Sequence, residues 1–82
     1  MSENKIETVK GNCVIALTRY IMQKLNLTQD NAFSKLNSME IFALLNDTET
    51  NLFLETNDYL CHACDLELAG NTEAMYEYIQ NN

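Results

Sequence analysis

Only two glycines, Gly11 and Gly70, and no proline punctuate this chain. A β-protein of 82 residues needs hairpin turns, and the tight ones draw on glycine's tolerance of positive φ. So few turn residues leave helices as the main building element. The apolar residues agree. Ile6, Val9, Cys13, Leu17 and Tyr20 recur at three- and four-residue spacing, with Val14, Ile21 and Leu25 beside them. That broad apolar face predicts a helix over residues 6–25. Gly11 costs about 1 kcal/mol inside a helix, which moves the ordered start toward Asn12 and leaves residues 1–5 disordered. Asn26 and Leu27 close it.

Polar residues mark the later starts and stops. Thr28 suits an N-cap, with Asp30 and Asn31 in the first turn, and predicts a short helix over 29–36 that buries Ala32, Phe33 and Leu36. Asn37 can stop it in a left-handed conformation. Ser38 then caps a third helix over 39–46, burying Ile41, Phe42, Leu44 and Leu45. Asp47 to Asn51 reads as a polar turn. Leu52, Phe53 and Leu54 are ambiguous between an extended piece and a helix start, because three consecutive apolar residues do not settle the period. Thr56 or Asn57 caps a fourth helix over 58–69, with Tyr59, Leu60, Ala63, Cys64, Leu66 and Leu68 inward. Gly70 stands at its C-terminal cap. Thr72 caps a last helix over 73–79, burying Met75, Tyr76 and Ile79. The expected fold is all-α, one domain, a compact array of four to five short helices.

A chain this short buries only roughly 60–65% of its unfolded surface, so a homodimer that buries more is expected as an option. No apolar run approaches the ~20 residues that span a bilayer, and the opening Met-Ser-Glu-Asn-Lys has no apolar signal region. A cytoplasmic location follows as the expectation, and three cysteines fit a reducing compartment.

Charge is distributed unevenly. All five basic residues, Lys5, Lys10, Arg19, Lys24 and Lys35, precede Leu36, whereas nine of the twelve carboxylates follow it. The formal net charge of −7 is thus +2 over the first 35 residues and −9 over the rest, and that acidic part repels nucleic acid and anionic membranes and attracts basic surfaces. Such a surface also serves solubility. Yet Phe53, Tyr59, Tyr76 and Tyr78 lie among those carboxylates, and aromatics set in an acidic field suit a basic partner protein. Glu55, Asp58, Asp65, Glu73 and Glu77 would steer the encounter, with Tyr59 or Tyr76 as anchor.

Other chemistry has weaker signals. Cys61 and Cys64 fall on one helical face and could hold zinc or form a redox pair, with Cys13 and His62 as the remaining soft ligands. His62, however, projects about 100° from Cys61, and no βαβ frame surrounds the pair. Packing as small apolar residues is the plainer role for the thiols. Residues 27–38 resemble the start of a helix-turn-helix, but the following helix carries Glu40 and no cation for phosphate contact. Asp47 to Asn51 alternates oxygens as calcium loops do, but Leu52 stands where glycine is needed, so a capped turn is expected. No nucleophile lies beside a recognisable base. No catalytic residue, cofactor or metal is assigned.

From Leu44 the chain reads Leu-Leu-Asn-Asp-Thr-Glu-Thr-Asn-Leu-Phe-Leu-Glu-Thr, then Tyr59-Leu60. This resembles a family of small, uncharacterised bacterial helical proteins with a Leu-Leu pair, an acidic Glu-Thr turn, an aliphatic–aromatic–aliphatic triplet, then Glu with Ser or Thr and a Tyr. The resemblance covers most of residues 14–69. Asn51 stands where that family often has glycine, which is compatible with a left-handed turn residue. The resemblance implies a short extended link at 52–54 before a helix capped at Thr56. Through relatives encoded beside ADP-ribosyltransferase-like toxins, it also implies an antitoxin or accessory role.

Overall fold

The structure is a computed structural model that describes residues 3–80. The chain folds as α1 (Glu3–Leu25), α2 (Gln29–Asn37), α3 (Glu40–Asn46), two single 3-10 turns (Thr48–Thr50 and Leu52–Leu54), α4 (Asn57–Leu68) and α5 (Thr72–Gln80). It is all-α, with no strand among the described residues. The 23 residues of α1 make a rod about 34 Å long, matching the molecule's longest dimension of 36 Å. The other helices pack along this rod. The Cα radius of gyration, 12.1 Å, is close to the roughly 12 Å expected of a compact chain this long.

Leu17, Ile21, Leu36, Ile41, Leu45, Leu60 and Met75 are completely buried. Every helix contributes at least one of them, so a single core holds the five together. Large-to-small changes among such residues typically cost about 2–5 kcal/mol.

Several expected caps are present. Thr28 Oγ1 accepts from the Asn31 N–H at 3.3 Å, and Thr56 Oγ1 accepts from the Tyr59 N–H at 3.2 Å. Gly70, at φ +82°, ends α4: its N–H donates to the Glu67 carbonyl and the Asn71 N–H to that of Leu66, the paired bonds of a Schellman motif. Asn51 is left-handed at φ 55°.

Other expectations are corrected. α1 runs unbroken through Gly11 and already includes Glu3 to Lys5, so its start lies well before Asn12; Met1 and Ser2 lie outside the described residues. The glycine's cost is outweighed because Ile6, Val9 and Lys10, all upstream of it, pack into the protein. Leu25 and Phe33 are exposed. α2 ends through Ser38 in a right-handed conformation, not through a left-handed Asn37. Ser38 does not cap α3, for its hydroxyl donates back to the Lys35 carbonyl at 2.7 Å. Asn71, not Thr72, caps α5, its Oδ1 accepting from the Ala74 N–H at 3.3 Å. Leu52–Leu54 forms a 3-10 turn rather than an extended link. That turn buries Leu52 and Phe53 side by side and leaves Leu54 exposed, a split that an extended segment, alternating its faces, would not produce.

Candidate protein-binding surface

α4 is the element around which the candidate residues are arranged. With Leu60, Ala63 and Cys64 inward, the 100° step per residue sends Tyr59 and His62 to one flank and Cys61 and Asp65 to the other. The first flank meets α5. There the Tyr59 and Tyr78 rings lie 4.8 Å apart at 31°, and the His62 ring lies 4.6 Å from Tyr78. Contacts of this kind add about 0.5–1.5 kcal/mol to simple burial. All three rings keep some solvent exposure, so they form a ledge rather than a core cluster.

Carboxylates lie on the same two helices and just before them. Asp58 is exposed in the first turn of α4, and Glu55 is half-buried just before its cap. Burial first, then the Glu55 carboxylate and Tyr78, push the Tyr59 phenol above its usual range. Glu73 and Glu77 are exposed and four residues apart on α5. Among the described residues, none of Glu55, Asp58, Glu73 and Glu77 enters an ion pair.

Two of the expected surface residues are placed apart from the ledge. Tyr76 is two residues from Tyr78, about 200° round α5, and its hydroxyl donates to Glu40 Oε2 at 3.1 Å. That bond holds its phenol above the usual range, with burial second. Asp65 faces α1. It accepts from the Tyr20 hydroxyl at 2.6 Å and meets the Lys24 ammonium at 3.0 Å. Burial alone would raise its carboxyl, but those two donors outweigh burial and hold it below the ordinary 3.8. Asp65 is thus committed within the fold.

Two further charged groups act as caps across the fold. Lys10 is 6% exposed. Its Nζ donates to the Asn46 carbonyl at 2.8 Å and to Thr48 Oγ1 at 2.9 Å, closing the C-terminus of α3, where a cation is favoured. Glu67 covers the other end. Its two oxygens accept from the Glu40 and Ile41 N–H groups at 2.6 and 2.9 Å, satisfying donors that no local side chain reaches. The position of Lys10 was legible in the sequence, four residues after Ile6 and three before Cys13 on the apolar face. Glu67 gave no such signal.

The remaining motifs resolve in the same geometry. Among the described residues, no three His, Cys, Asp or Glu side chains come together as a metal site. Cys13 is buried against the Phe53 carbonyl, 3.6 Å from Sγ, and burial raises its thiol. Burial also raises Cys61, with Asp65 and Asp58 adding to it, and pushes Cys64 up to about 12. All three thiols are thereby kept protonated and poorly nucleophilic at neutral pH. In the helix-turn-helix-like segment, the first N–H groups of α3 donate to Glu67, and Glu40 accepts from the Tyr76 hydroxyl. Asp47–Asn51 is a capped turn: Asp47 Oδ1 accepts from the Glu49 N–H at 3.1 Å, and Thr50 donates to the Leu44 carbonyl at 2.7 Å. No helix among the described residues is long and apolar enough to cross a membrane.

Compared with known proteins, the chain matches no family model, no curated protein and no solved structure.

Proposed function

We propose that this chain is a non-enzymatic protein-binding module, inhibitor- or antitoxin-like, whose α4–α5 face holds a basic partner protein. The supporting observation is the Tyr59–Tyr78–His62 ledge, together with nearby carboxylates of the same half that form no ion pair among the described residues. Tyrosines offer large contact area at low entropic cost and concentrate binding energy at interfaces. Glu55, Asp58, Glu73 and Glu77 set the sign of the partner and accelerate its approach. Tyr59 and Tyr78 are the anchors, and Tyr76 extends the surface on the far side of α5. The antitoxin role is the part implied by the resemblance of Leu44 to Leu60.

Affinity capture from cell extract at low salt, with the wild type beside E55Q/D58N and Y59A variants, tests this reading. A basic protein should be retained by the wild type and released as salt rises, since screening shortens electrostatic reach to about 10 Å at 0.1 M. Both variants should retain less. Retention that ignores salt, or that is equal for all three proteins, would overturn the reading.

A further inference from the structure

On the side of the molecule formed by α1 and α2 lies an open groove of about 540 Å³. Val14, Ile15 and Met22 of α1 and Phe33 of α2 supply its apolar lining, and Arg19 and Asp30 supply its charge. Ile15 is 52% and Phe33 44% exposed, two of the four large apolar side chains left open to solvent among the described residues. Phe33 is held in place by an edge-on contact with Phe42 of α3, ring centres 6.3 Å apart. The groove is separate from the α4 contact of α1. Thr18, in its lining, and Tyr20, which binds Asp65, are two residues apart and so point about 200° from each other.

Arg19 and Asp30 are both exposed and carry opposite charge, yet among the described residues neither enters an ion pair. A two-fold axis passing midway between Arg19 and Asp30 can set each against its opposite on the other copy, because an isologous interface repeats a contact of residue i with residue j as one of j with i. Location favours the same occupant. The groove's lining carries one positive charge, Arg19, and one negative, Asp30, and none of the nine carboxylates that follow Leu36. This face can therefore meet itself without opposing two acidic halves. A standard interface takes about 800 Å² per copy, roughly 15% of the chain's 5247 Å², a share that the side of a 36 Å molecule can supply.

We propose that this groove is a self-association surface filled by a second copy of the chain, with Arg19 of each copy paired to Asp30 of the other and Ile15 and Phe33 buried between them. The surface is distinct from the tyrosine ledge, so a dimer leaves both ledges free for partners.

Sedimentation velocity over a range from low-micromolar to millimolar protein, with R19E, D30R and an equimolar mixture of the two, tests the proposal. The wild type should shift from monomer to dimer as concentration rises. Each single variant faces like charge across the axis and should dimerise about tenfold more weakly or worse. The mixture pairs Glu with Arg at one contact and Asp with Arg at the other, so it should recover the dimer. Far-UV circular dichroism checks that both variants keep wild-type helicity. A wild type that stays monomeric throughout overturns the proposal and leaves the groove to a partner of another sequence. So do single variants that dimerise as the wild type does, or a mixture that stays monomeric.

Discussion

Lys10 shows how much one side chain can contribute in so small a protein. It lies on the buried face of α1, yet its ammonium closes α3 through the Asn46 carbonyl and Thr48 hydroxyl and rests 5.7 Å from the Phe53 ring centre. Glu7, 3.9 Å away and mostly exposed, adds little, as expected of a solvated pair. The hydrogen bonds carry the effect. K10M keeps most of the stem's packing but leaves two acceptors unsatisfied, which costs about 1.5–3 kcal/mol when the lost bonds are charged. Urea unfolding should show that loss as a lower midpoint with an unchanged slope. A midpoint equal to wild type would mean that the carbonyl and hydroxyl find water instead.

At the scale of elements, α1 illustrates tertiary packing overriding a local preference. A glycine in its middle weakens it, and the turns upstream survive because Ile6, Val9 and Lys10 are anchored to the rest of the protein. The glycine itself has no packing role: a Cβ added at Gly11 would meet nothing within 4 Å, and no unusual backbone angle requires glycine there. G11A should therefore stabilise the protein by about 0.5–1 kcal/mol, read as a higher thermal midpoint. A lower midpoint would show that α1 needs to bend or open at this position. Gly70 is the opposite case, since its positive φ ends α4 and a side chain there would be strained.

At the scale of the whole molecule, the Tyr20–Asp65–Lys24 group ties the long rod to α4 and makes stability depend on pH. The Asp65 carboxyl titrates below its ordinary 3.8 in the folded protein. Its contribution is complete above 3.8 and is lost as pH falls from there through the lower folded value. The Tyr20 phenol is raised above 10.0, first by its bond to Asp65, so its contribution is complete below 10.0 and is lost as pH climbs through the higher folded value. Stability measured against pH should fall at both ends. D65N should be less stable than wild type at neutral pH, and the gap should close on acidification through the window below 3.8. A gap that stays constant with pH would show that the neutral amide packs worse for reasons unrelated to charge.

The sequence by itself determined the class of fold, most helix positions and several of their ends. Those features depend on residues three or four apart, as in the spacing of Ile6, Val9, Cys13 and Leu17, the Thr28 and Thr56 caps and the glycine stop at Gly70. The tertiary structure alone decided which charges are used inside the fold and which stay exposed to solvent. Lys10 reaches across 36 residues to Asn46, Tyr20 across 45 to Asp65, and Glu67 back across 26 to Ile41. No local pattern encodes those partners. The same holds for Tyr76 and Tyr78, two residues apart in the chain, one bonded to Glu40 and the other stacked beside Tyr59. Their separation follows from the pitch of α5 and the helices packed on either side of it. The physical reason is range: backbone propensity and periodicity act within one or two turns of a helix, whereas a capping or charge partner is fixed only when distant helices dock.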